Sequence, residues 1–184
     1  KKIFIPNNAQ ASTVSEGYQE NKNDTSNYRQ KLRFNDDMTS TSLEGYFDDG
    51  KLDSLRLRGM ASTLYHIFED SLYKGKNETS GDVINMNFID KELNNIFVSG
   101  GSQGKYVPDT ISNNFEYPLI YSAEKIDYHL KTEESELIGN AKAHHENTDL
   151  EAGYIKVNWP TKILNAHPRN AADSTYKIIK PTII

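Results

Sequence analysis

Residues 44–65, "EGYFDDGKLDSLRLRGMASTLY", and residues 85–106, "NMNFIDKELNNIFVSGGSQGKY", carry one pattern written twice. Laid over each other without a gap, at an offset of 41 residues (65 to 106), they match Phe47 with Phe88, Asp49 with Asp90, Leu52 with Leu93, Gly59 with Gly100 and Tyr65 with Tyr106. Leu55 and Leu57 face Ile96 and Val98 in the same alignment. Within each copy apolar and polar residues alternate, the period of a strand with one wet face. Asp48-Asp49-Gly50 supplies a hairpin turn, and Arg56 and Arg58 alternate with the leucines on the returning strand. A strand pair repeated with the same turn chemistry is the sequence form of stacked β architecture, in which each unit buries its apolar face against its neighbours.

Weaker echoes follow. Ile126, Tyr128 and Leu130 alternate as Ile84, Met86 and Phe88 do, and "GYIKVNW" places Ile155, Val157 and Trp159 on one face. Ala123, Ile126 and Thr132 recur as Ala152, Ile155 and Thr161, an offset of 29 residues (132 to 161). Helix signals are poor: the best candidate, Ala61 to Tyr73, contains "TLYHIF", whose β-branched and aromatic residues suit a strand. Pro108, Pro118, Pro160, Pro168 and Pro181 fall outside or at the ends of the apolar runs, as strands require.

Residues 71–88, "SLYKGKNETSGDVINMNF", raise the possibility of a phosphate loop. Such a loop needs Gly-Lys followed by Ser or Thr at the start of a helix, so that backbone amides face the anion. Gly75-Lys76 is followed by Asn77 and then by strand alternation, so the stretch reads as a corner where one strand ends and the next begins. "VSGGSQG", residues 98–104, is read as a bend for the same reason, because its Gly100 falls on Gly59.

The 184 residues suffice for one domain or one elongated repeat module, and the 36% apolar content suits thin antiparallel structure. A formal charge of -5 without a basic stripe argues against nucleic acid as a partner. Nothing approaches the run of roughly eighteen apolar residues that a membrane-spanning helix needs. The absence of cysteine removes disulfides, thiolate metal sites and cysteine nucleophiles. His144 and His145 are adjacent and point to opposite faces of a strand, while His66, His129 and His167 lie in different units. Solvated surface histidines are therefore expected, and no metal site. The acidic pairs Asp48-Asp49, Glu69-Asp70 and Glu133-Glu134 sit at turns, and no Gly-x-Ser-x-Gly elbow occurs. No catalytic residue and no cofactor is expected; the chain does not read as an enzyme.

What remains is the apolar face itself: Leu55, Leu57, Ile84, Met86, Phe88, Ile96, Val98, Ile126, Tyr128, Leu130, Ile155, Val157 and Trp159. Stacked in register, these side chains form either a dry core or the lining of a groove that accepts acyl chains. Residues 1–35 read as a polar segment, loop or edge strand; residues 36–168 as the repeats; residues 169–184, with "IIKPTII", as a last strand or a linker.

The stretch from Leu55 to Pro108 resembles the OstA-like (LptA-like) family of lipopolysaccharide transport proteins. A "G-x-A…Y" strand leads to a "G-x-N…S-G-D" corner, an alternating strand, an "L-x-x-I-x-V-x-G" return and "Y-x-P". "YSAEKIDYHLKTEESELIGNAKAHHENTDLEAGYIKVNW" is similar to the family's commoner unit, and the likeness covers about residues 43–166. It implies an all-β, repetitive antiparallel β-jelly-roll, or folded β-taco, in the periplasm of a Gram-negative cell. It further implies lipopolysaccharide as partner, with the lipid A acyl chains in the groove, and junctions to other jelly-roll modules, or end to end with itself, by edge-strand addition. Both the free-standing bridge protein and the periplasmic part of the LptD-type outer-membrane assembly protein belong to this family; the C-terminal run favours the second. Arg56, Arg58, Lys74 and Lys76 are the cations expected at the rim. The competing readings are a sandwich that binds protein partners, or one that binds carbohydrate through Tyr46, Phe97 and Tyr154 on the opposite parity.

Overall fold

A computed structural model describes residues 1–20, 29–90, 92–109, 111, 117–159, 161, 163–168 and 182–183. Alternation drives the described residues into twelve strands: β1 (Lys2–Ile5), β2 (Ala9–Glu20), β3 (Arg29–Ser40), β4 (Ser42–Asp48), β5 (Lys51–Glu69), β6 (Leu72–Ile89), β7 (Glu92–Pro108), β8 (Leu119–His129), β9 (Glu134–His145), β10 (Thr148–Asn158), β11 (Ile163–His167) and β12 (Thr182–Ile183). They form one sheet in the order β1-β4-β5-β3-β2-β6-β7-β8-β9-β10-β11, with β12 on β10 and a further pairing of β5 with β6. Among the described residues every pairing is antiparallel except one β2–β6 contact, Tyr18 with Leu72. Asp49 and Gly50 turn β4 into β5 with φ of 45° and 75°, and Asp70 and Ser71 turn β5 into β6 with φ of 49° and 64°. Two successive left-handed residues match the right-handed twist of the flanking strands, which is why hairpins choose them.

A line of bends crosses the sheet and divides it. The register slips between Arg58 and Ala61 in β5, Ser80 and Val83 in β6, Ser99 and Ser102 in β7, Ser122 and Lys125 in β8, and Ala152 and Tyr154 in β10. On alternate strands the bend is a left-handed pair: Gly59-Met60 (φ 75° and 48°), Gly100-Gly101 (81° and 61°) and Gly139-Asn140 (80° and 46°). Glycine leads each pair because a Cβ at Gly100 would collide with the Asp82 carboxylate and one at Gly139 with that of Glu124. β1 and β2, broken at Asn8 (φ 47°), and β3 and β4, broken at Thr41, carry the same bend. Each rung thus contributes to two half-sheets. The first holds β1, β4 and the segments 51–58, 83–89, 92–99, 125–129, 134–138 and 154–158; the second holds β2, β3 and the segments on the other side of the bends.

The half-sheets close on one interior. Their contact is direct, since Thr79 Oγ1 lies 3.1 Å from the Tyr128 hydroxyl and the Tyr106 and Trp159 rings are 5.5 Å apart. The β2–β3 hairpin leaves β5 beyond Leu64 and crosses the β5–β6 turn, where Tyr18 N donates to Ser71 O at 2.7 Å. Phe34, His66, Phe68 and Tyr73 cluster beneath it, His66 stacked on Phe34 at 4.1 Å.

Two expectations change. "KGKNETSGD" is not a strand-to-strand corner: it runs inside β6, and the turn lies earlier, at Asp70-Ser71. Gly75, Asn77 and Thr79 are its inward residues, and because none is apolar the alternation is invisible to a hydrophobic period. His66 is not solvated either; its Nδ1 and backbone N lie 2.8 Å from Asp36 Oδ1, whose other oxygen accepts from Ser15 Oγ. Of residues 1–35, those described form β1, β2 and the start of β3; of 169–184, only Thr182 and Ile183 lie among the described residues.

Candidate functional site

Register places the apolar face in two rows. Leu43, Leu57, Ile84, Val98, Ile126, Leu137 and Ile155 follow one another across the first half-sheet, each the Cα partner of the next. Beside them run Gly45, Leu55, Met86, Ile96, Tyr128, Ser135 and Val157. Leu57, Ile84, Ile96, Val98, Ile126 and Ile155 are wholly buried, and neither row contains a charge. A third row, half-buried, lines the outer end of the same wall: Leu52, Phe88, Leu93, Leu130 and Trp159. All thirteen residues singled out by alternation therefore share one wall, with Phe88, Leu130 and Trp159 half-buried at its outer end.

The opposing wall escaped the sequence. The second half-sheet faces the interior with Met38, Tyr106 and Tyr121 set among Ala61, Thr63, Ala123, Ala141, Ala143 and Ala152, most of them too small or too polar to register as an apolar period. Leu137 was missed as well, although Leu137, Gly139, Ala141 and Ala143 alternate in "ELIGNAKAH".

A polar network crosses this interior. Asn77 Nδ2 donates to the Tyr65 hydroxyl at 2.9 Å and to Thr79 Oγ1 at 3.2 Å, and the Tyr121 hydroxyl donates to Asn77 Oδ1 at 2.6 Å. The Tyr121 and Tyr128 hydroxyls are 2.8 Å apart. Burial pushes all three tyrosines above their ordinary pKa, so they stay neutral and serve as hydrogen-bonding groups only.

At this outer end, Trp159 Nε1 donates to Ser135 Oγ at 2.9 Å and the Tyr106 hydroxyl to Lys74 O at 2.8 Å, fixing the ring pair that joins the two walls. Glu133, in the β8–β9 turn, is held above the usual carboxylate range first by burial and then by Glu69 and Asp70 of the β5–β6 turn. Of the cations expected at the rim, Lys74 lies there, paired with Glu69 at 3.0 Å and acting on Glu133; Arg56 and Arg58 face outward by parity, and Lys76 pairs with Glu78 at 2.9 Å. Among the described residues no group of histidine, aspartate and glutamate is arranged to hold a metal, and no helix is long and apolar enough to cross a membrane.

No protein-family model matches the chain, and no curated protein matches its sequence. Among solved structures the fold is similar to that of LptH from Pseudomonas aeruginosa, described as the LptA-homologous periplasmic component of the conserved lipopolysaccharide transport device. The TM-score is 0.61 at 16% sequence identity, over 80% of this chain and 92% of that one. With two half-sheets folded along a line of bends and an apolar interior between them, the chain has the LptA-like β-jelly-roll fold.

Proposed function

We propose that this chain is a periplasmic module of lipopolysaccharide transport, taking acyl chains against the wall built from Leu55, Leu57, Ile84, Met86, Phe88, Ile96, Val98, Ile126, Tyr128, Leu130, Ile155, Val157 and Trp159. The observation that carries this reading is the charge-free double row across the first half-sheet, continuous with the half-buried row at its outer end. The likeness of fold to a component of a lipopolysaccharide transport device supports it. Each methylene removed from water contributes about 0.8 kcal/mol, so a chain of roughly ten carbons supplies ample binding energy without phosphate contacts. That suits a chain with a net charge of -5. The inner rows are covered by the opposing wall, so an acyl chain meets Phe88, Leu130 and Trp159 first and reaches Ile126 as the half-sheets part. Junctions to neighbouring modules would form at the outer strands β1 and β11, whose exposed Ile3 and Phe4, and Ile163 and Leu164, flank edges left unpaired among the described residues.

Photocrosslinking tests the wall. With benzoylphenylalanine at Phe88 or Leu130, labelled lipopolysaccharide is captured; at Lys125, the exposed outward neighbour of Ile126, it is not. Equal capture at all three positions, or none at any, sinks the reading.

A further inference from the structure

The outer face of the first half-sheet, turned away from the interior, holds a shallow depression of about 540 Å³. Arg56, Asn85, Asn87, Asn95, Phe97 and Asp127 line it, drawn from β5, β6, β7 and β8. Register makes the arrangement regular. Asn87 is the Cα partner of Asn95, while Arg56, Asn85, Phe97 and Asp127 form the adjacent row. Polar groups therefore stand on a grid roughly 4.8 Å across the strands and about 7 Å along them, within the span of a sugar ring.

We propose that this depression binds a neutral saccharide. Asparagine is depleted in strands, yet three occupy neighbouring positions on this face, a composition that sheet stability does not explain. Asn87 donates to Asn95 and Asn95 to Asp127, which orients the amides and leaves further donors and acceptors free. The Asn85 side chain has no hydrogen-bond partner among the described residues, and Arg56 Nε is shielded from solvent without one. Paired donors and acceptors at this spacing suit vicinal hydroxyls, each of which donates and accepts. The Phe97 ring offers the flat apolar surface on which the C–H face of a pyranose stacks. Tyr46 forms a side wall, its own ring already covered by the Lys2 ammonium at 5.3 Å. The charges of Arg56 and Asp127 cancel, so the depression favours an uncharged ligand over an anion. Its volume lies within the usual range of small-molecule sites, roughly 300–1,000 Å³. Tyr154 sits two strands beyond Asp127 and does not border the depression.

The site stands independently of the lipid reading, because the two faces belong to opposite parities of the same strands. The test is a titration of the nitrogen-15-labelled chain with maltotriose, with chitotriose, and with the delipidated saccharide of lipopolysaccharide. Saturable shifts of the Asn85, Asn87 and Asn95 side-chain amides are expected with at least one probe, and the tightest identifies the source. Asn85→Ala, at a position without partners, weakens binding about tenfold, the loss of one good hydrogen bond. Phe97→Ala abolishes it and Phe97→Tyr retains it, while Tyr154→Ala leaves it unchanged. The proposal is overturned if no probe shifts these amides at 20 mM, a concentration of about that order being ample for weak sugar sites. It is equally overturned if Asn85→Ala and Phe97→Ala bind as the parent does. Lipid capture at Phe88 is unaffected in either case, so the two readings fail separately.

Discussion

Replacing Tyr121 by phenylalanine removes a single oxygen from the middle of the interior. That hydroxyl donates to Asn77 Oδ1 at 2.6 Å and lies 2.8 Å from the Tyr128 hydroxyl. Tyr121, Tyr128 and Asn77 are 5%, 4% and 2% exposed, so solvent does not replace what is lost. The ring stays, and no cavity forms. Losing the bond between the hydroxyls costs about 1 kcal/mol net, and leaving the buried Asn77 oxygen without its donor costs roughly 1–3 kcal/mol more. A loss of about 2–4 kcal/mol follows, which for a chain of this size lowers Tm by roughly 4–16 °C. Urea unfolding followed by circular dichroism measures it, with an unchanged m-value showing that only stability has moved. The double variant Tyr121→Phe/Tyr128→Phe should lose about 1 kcal/mol less than the sum of the singles, because the shared bond is counted in both. A loss below about 0.5 kcal/mol for Tyr121→Phe would show that the network is not sealed from water, and the accounting above would fail.

The bend and the tyrosines supply two further predictions. Gly100 and Gly101 share positive φ, but only a Cβ at Gly100 meets another atom, the Asp82 carboxylate; Gly101→Ala should cost about 1–2 kcal/mol and Gly100→Ala at least about 1 kcal/mol more. Chemical unfolding compares them, and equal losses would remove the reason given for glycine at this bend. Burial raises the pKa of Tyr121 and Tyr128 above the ordinary 10.0, so between pH 10 and their folded pKa the native state holds protons that the unfolded chain has released. Stability is thus full below pH 10 and falls above it by about 1.4 kcal/mol per pH unit for each tyrosine. Urea midpoints that stay flat from about pH 9.5 to 11 would contradict it.

The first half-sheet was legible because its inward residues are large and apolar while its outward ones are polar. Leu55, Leu57, Ile96 and Val98 announced their face, and Asp49 and Asp90 announced the turns. Apart from Met38, Tyr106 and Tyr121, the second half-sheet obeys the same parity with alanine, glycine, serine, threonine and asparagine, so "KGKNETSGD" read as a corner between strands although it is strand throughout. What makes it a strand is distant: Asn77 and Thr79 find their partners on β5 and β8. Periodicity of hydrophobicity cannot report such a bond, because the partner lies tens of residues away. Gly59 and Gly100 were correctly read as bends, but that the bends align into one line across the sheet depends on register, which an isolated copy of the repeat does not contain.

The line of bends gives the molecule a mechanical anisotropy. Interstrand hydrogen bonds lie perpendicular to the strands, hence roughly along that line. Changing the angle between the half-sheets turns a residue or two in each rung, such as Gly100 and Gly101, and breaks none of those bonds. Stretching the molecule along the line loads the hydrogen bonds of every rung together. The ladder therefore fixes the length, while the opening angle is held by the contacts between the walls alone, among them Thr79 with Tyr128, Tyr121 with Tyr128 and Tyr106 with Trp159.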